Sequence, residues 1–115
     1  GTPVRDFIYA GDCADGMIHM VENGITDPVN LGSGDGVSIK DVATSIRDSY
    51  DKTVEIDWDT TKPKGDALRL MDTTRAKSHG FECTTSLEEG IKETVNWFLD
   101  NKELYKKRNN YFTKD

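Results

Sequence analysis

Residues 28–43, Pro-Val-Asn-Leu-Gly-Ser-Gly-Asp-Gly-Val-Ser-Ile-Lys-Asp-Val-Ala, decide the fold class. A short β-favouring run at 28–31 meets a glycine-rich turn at 32–36. Ser38 and Asp41 then resemble a capping box, with Asp where Glu is usual. Ile39, Val42, Ala43 and Ile46 follow at helical spacing, which predicts a helix with that face inward. Strand, turn and helix in immediate succession point to an α/β or α+β chain.

Toward the amino terminus, residues 5–10 (RDFIYA) read as a strand. Asp12 reads as the cap of a helix whose apolar face is Ala14, Met17, Ile18 and Val21, and Asn23-Gly24 ends that helix. Toward the carboxy terminus, residues 54–58 (VEIDW) alternate as a strand and residues 60–66 form a loop punctuated by Pro63 and Gly65. Residues 67–71 are short and apolar around Arg69. Asp72 is expected to cap a brief helix that stops at Gly80. Ser86 and Glu89 make a proper capping box for a last helix burying Leu87, Ile91, Val95, Phe98 and Leu99. The predicted order is β-α-β-α-β-β-α-α, with about four helices. Such few, short strands present edges that need a partner, as in a piece of a larger sheet protein. Residues 1–101 are expected to form the folded region and 102–115 a polar tail.

The 115 residues fit one domain. A net charge of −6 argues against sequence-independent nucleic-acid binding, which needs cations along the phosphates. No apolar run reaches membrane-spanning length, so no membrane partner is expected. Cys13 and Cys83 lack a CxxC or zinc spacing and read as free thiols of a cytoplasmic protein, a single disulfide between them being the alternative. The first residue is Gly1 rather than Met, which suggests a start inside a longer reading frame or after a cleaved tag.

Four groups of residues could carry chemistry. The turn Gly32-Ser33-Gly34-Asp35-Gly36 imitates a dinucleotide fingerprint, but its third glycine comes one position early. It reads as a structural turn. Arg5, Lys62, Lys64 and Arg69 are cations in acidic surroundings, and paired guanidinium donors suit a diphosphate. Lys64 reads as a solvated loop charge. Arg5 and Arg69 stand evenly between phosphate binding and local pairing, Arg69 with Asp66 or Asp72. His19 and His79 have no metal-ligand partner, and Trp58 and Trp97 read as core. Asp57 and Asp59 would share a strand face, yet acids beside a turn are usually solvated. Lys106, Lys107 and Arg108 suit a helix carboxy terminus.

Four strings in order carry a resemblance: GTPVRDFIYAGDCADGM at 1–17, PVNLGSGDGVSIKDVA at 28–43, WDTTKPKGDALRLMDTTRAKSHGF at 58–81 and SLEEGIKETVNWF at 86–98. Together they resemble the extended short-chain dehydrogenases/reductases that act on nucleotide sugars, the NAD-dependent epimerase/dehydratase family. The Lys62-Pro63 string leans toward the GDP-fucose synthase branch. The resemblance implies an α/β fold that is the carboxy-terminal substrate-binding portion of a Rossmann-type enzyme, without the main Rossmann sheet. It implies contacts from Arg5, Lys62 and Arg69 to a GDP- or UDP-linked sugar, Lys62 also matching a structural role. It implies NADP or NAD in a full-length parent and none held by this chain. The family's Tyr-x-x-x-Lys pair is missing, since none of Tyr9, Tyr50, Tyr105 and Tyr111 has Lys four residues later. No catalytic residue is therefore assigned. The chain is expected to need its missing Rossmann domain for chemistry. The rival expectation is a stand-alone binding module that self-associates, as a homodimer, through the surface such a domain would cover. A hydrolase using Asp57 and Asp59 is a third, remote alternative.

Overall fold

A computed structural model describes residues 1–106. Its strands and helices run β1 (Val4–Asp6), α1 (Ala10–Glu22), β2 (Gly36–Ser38), α2 (Ile39–Tyr50), β3 (Leu68–Arg69), α3 (Thr74–Ser78), α4 (Leu87–Asp100) and α5 (Lys102–Lys106). β1 is the middle strand of a small open sheet, antiparallel to β2 and parallel to β3. The architecture is α/β, as the sequence predicts, with three strands and five helices among the described residues. The fifth helix occupies the start of the stretch expected to be a polar tail; Lys107 and Arg108 lie outside the described residues.

Two predicted strands are absent, and each has a local cause. Residues 28–31 join no strand: the Pro28 carbonyl is taken by Arg75, and the Asn30 side chain ties the segment to the Asp72 carbonyl instead of a ladder. Val29 and Leu31 are left to pack on the core. Residues 54–58 alternate in sequence but find no neighbouring strand in the sheet. The first predicted strand is shorter and earlier than expected, so that Phe7, Ile8 and Tyr9 leave the ladder.

The helix starts divide in the same way. Ser38 caps α2 by accepting from the Asp41 amide, and Ser86 with Glu89 forms a complete capping box on α4. α1 begins instead from Tyr9 with no side-chain cap, and Asp12 lies within its first turn. Asp72 accepts from the Thr74 amide one residue before the cap position of α3, Thr73. Gly24 and Gly80 close α1 and α3 at φ +65° and +81°, where a β-carbon would be strained.

The core is small. Met20, Ala76 and Phe81 are buried together, with Ile25, Val29, Leu31 and Cys83 packed around them. α1 meets this core along Asp12, Gly16 and Met20, one helical row. The predicted apolar face of α1 is the opposite one and stands in solvent, with Ile18 at 55 % and Val21 at 79 % exposure. Ile91 and Val95 of α4 are buried, but Phe98 and Leu99 are not, and α2 has no fully buried residue. Trp58 and Trp97, expected in the core, are exposed.

Candidate functional site

Register, rather than any single side chain, assembles the candidate site. Arg5 of β1 pairs in register with Arg69 of β3 and with Val37 of β2. Register partners share a sheet face, so Arg5, Val37 and Arg69 form one row across it. The Arg5 guanidinium donates to the Val4 carbonyl at 2.7 Å and comes close to Gly65 of the 60–66 loop, where a β-carbon would fall 3.6 Å from Nη2. Gly65 has φ +69°, so the turn that brings this loop close to Arg5 favours glycine. Arg69 pairs with Asp66 at 2.8 Å, both side chains well exposed. Its local partner is thus Asp66, not Asp72. Lys62 stands on the same loop, exposed and without a hydrogen bond or ion pair among the described residues.

The row leads into a large apolar concavity. Val37 lines it together with Phe7, Tyr9, Val42, Ile91 and Val95, around an open volume of about 1010 Å³. The residues that leave the β1 ladder early thus form a wall of this hollow. Neither Asp57 nor Asp59 lines it. Asp59 caps its own turn by accepting from the Thr61 amide and hydroxyl, which holds its carboxyl below the ordinary range. The strand that would have put the two acids on one face does not form.

Two carboxylates organise the site: Asp6, which the sequence does not mark, and Asp12, which bonds Thr84 and Thr85 instead of capping α1. Asp6 accepts from the Ser33 amide at 2.8 Å and hydroxyl at 2.7 Å through Oδ1, and from the Gly34 amide at 3.0 Å and the Met71 amide at 3.3 Å through Oδ2. Burial pushes its carboxyl up, but the Ser33, Gly34 and Met71 donors outweigh that and hold it below the ordinary value. The glycine-rich turn therefore receives its negative charge from within the chain. Its amides do not fit a dinucleotide pyrophosphate while Asp6 fills them. Asp12, only 5 % exposed, accepts from the Thr85 amide at 2.9 Å and from the Thr85 and Thr84 hydroxyls. Burial again opposes, and these donors again prevail, leaving its carboxyl lowered. The signal for Asp12 was available as its fourfold spacing to Gly16 and Met20; for Asp6 nothing in the local pattern marks the distant donors.

His19 Nε2 bonds the His79 carbonyl at 2.7 Å and its ring sits 6.2 Å from that of Phe81, a structural role. Cys13 and Cys83 are free thiols, which excludes the disulfide alternative in this structure. No described helix is long and apolar enough to cross a membrane.

Comparison with known proteins fixes the family. The chain is 35% identical over 103 residues to a putative GDP-L-fucose synthase 2 of Arabidopsis thaliana, covering 88% of this chain and 31% of that protein. Its backbone superposes on the Bordetella bronchiseptica enzyme WbmF, solved with NADH, at TM-score 0.76 and 29% identity, over 92% of this chain and 32% of that one. The chain belongs to the extended short-chain dehydrogenase/reductase family. It is also 34% identical over 103 residues to a putative UDP-glucose 4-epimerase of Methanocaldococcus jannaschii, covering 88% of this chain and 33% of that relative. WbmF has in addition been solved with NAD+ and UDP, at TM-score 0.74 and 28% identity. No protein-family model matches the chain. This short-chain dehydrogenase/reductase chain spans about a third of the length of the relatives it matches.

Proposed function

We propose that this chain is the carboxy-terminal, substrate-binding part of an NAD(P)-dependent nucleotide-sugar epimerase or reductase of the GDP-fucose synthase type. In this reading Arg5 and Arg69, with Lys62 beside them, hold the diphosphate of a GDP- or UDP-linked sugar. The observation that carries it is the Arg5–Arg69 register pair. The pair puts two guanidinium-bearing residues on one face of adjacent strands, and a diphosphate offers oxygens to both, with Asp66 the local counter-charge it would displace from Arg69. The same row ends at Val37 in the apolar concavity. That hollow fits the docking surface of a Rossmann domain supplied from outside these residues, which would bring the nicotinamide cofactor and the Tyr-Lys pair. The polar row at its rim then faces the junction, where a ligand shared by both parts would lie. Two free thiols suit a reducing, cytoplasmic setting.

Calorimetric titration of GDP and of UDP against the wild-type chain and Arg69→Ala tests the reading. Saturable binding with Kd on the order of 1 mM is expected, because a half-built pocket lacks preorganisation. Arg69→Ala should weaken it about tenfold, the loss of one charge-assisted contact. No saturable signal from either nucleotide would sink the proposal.

The exposed hollow also supports a second reading, a stand-alone module that pairs with another copy of itself through this face. Sedimentation at increasing concentration separates the two: a tight dimer unaffected by nucleotide favours the module.

A further inference from the structure

We propose that Asp6 is a positioning residue for the diphosphate site: by bridging the 32–36 turn to the exit of β3 it sets the spacing of Arg5 and Arg69. The inference rests on the nucleotide-binding reading above. β3 has only two residues, Leu68 and Arg69, and its ladder to β1 ends at the Arg5–Arg69 rung. A two-residue parallel pairing is a weak constraint, because few backbone bonds fix it.

Beyond the ladder the exit of β3 is held by Asn30, which donates to the Asp72 carbonyl, and, next to Arg69, by the Asp6 side chain. The Met71 amide, two residues past Arg69, donates to Oδ2 at 3.3 Å. Asp6 itself is one residue past Arg5, and its other donors anchor it to Ser33 and Gly34. The site is closely fitted around that carboxylate: a β-carbon on Gly32 would lie 2.7 Å from Oδ2 and 2.8 Å from Cβ of Met71. One carboxylate thus joins the segment after each arginine to the same turn. Asn cannot replace it. Its single oxygen satisfies one side of the bridge, and its NH₂ would face the amide donors of the other.

Double-mutant titration of GDP tests this on the whole chain, with thermal melts to confirm folding. Asp6→Asn should weaken GDP binding about fivefold to tenfold in the wild-type background and by less than twofold in Arg69→Ala, because there is no longer a pair to space. Ser33→Ala keeps the carboxylate, removes one donor and should cost about twofold; it serves where Asp6→Asn fails to fold. Equal losses in both backgrounds would mean Asp6 acts only through general stability and would overturn the inference. So would unchanged affinity in both Asp6→Asn and Ser33→Ala. In either case the nucleotide site itself survives if Arg69→Ala alone still weakens binding. Absence of GDP and UDP binding by the wild type overturns both proposals together.

Discussion

Gly16 and Phe81 touch so closely that a β-carbon on Gly16 would fall 2.8 Å from Cζ of Phe81, and 3.0 Å from both methyl carbons of Leu31. α1 lies down on the core only because this position has no side chain. Ala would favour the helix by about 1 kcal/mol. It would also overpack a site costing about 1–3 kcal/mol. Gly16→Ala should therefore be less stable than wild type in urea denaturation, and Gly16→Leu should not fold.

Asp12 ties the first turn of α1 to the chain entering α4. Asp12→Ala leaves the Thr85 amide and two threonine hydroxyls without their acceptor. A loss of about 2 kcal/mol is expected, read as a lower urea midpoint with little change in slope.

Acid should destabilise the chain through the same two carboxylates. Asp6 and Asp12 both have folded-state carboxyls lowered from 3.8. Their contribution is thus fully present above the unfolded value and disappears as pH falls through the folded one. Thermal melts from pH 7 to pH 2 should show the decline beginning near pH 4, and Asp12→Asn should flatten it. A melting temperature that is the same at pH 5 and pH 2.5 would contradict the assignment.

Cys83 should resist alkylation. Burial raises its thiol first, and the nearby Asp12 and Asp6 carboxylates raise it further; Sγ also bonds the Gly32 carbonyl at 3.2 Å. Because the thiolate is the nucleophile, iodoacetamide at pH 7.5 should leave Cys83 largely unmodified in the folded chain and modify it quickly in urea, measured by peptide mass.

Asp66 competes with any anion for Arg69. The pair is exposed, so Asp66→Asn should leave the melting temperature within error. It should tighten GDP binding about twofold to threefold by freeing the guanidinium, as calorimetry would show.

The local grammar of this sequence was readable where a residue acts on its neighbours. Ser38, Ser86 with Glu89, and Gly24 all do in the structure what their positions predict. Reading failed where distant groups decide. Hydrophobicity puts the apolar row Ala14, Met17, Ile18 and Val21 on the inner face of α1, yet the helix packs by its smallest residue and by a carboxylate whose donors lie more than seventy positions away. Residues 28–31 have strand composition, but Arg75, far along the chain, takes the Pro28 carbonyl, and Asn30 reaches across to the Asp72 carbonyl. Of the site, resemblance and local context point to Arg5 and Arg69; their standing in register is invisible in residues 64 positions apart.

The turn at 32–36 keeps its own counter-charge, and one atom group separates it from a very different object. Were Asp6 exchanged for a small neutral residue, the Ser33 and Gly34 amides would form an empty cradle open to an anion from solution. A glycine-rich turn ahead of a helix is thus ambiguous until the neighbouring strand is read for a carboxylate. In evolutionary terms, a single codon at position 6 chooses between an anion that is inherited and one that must be borrowed.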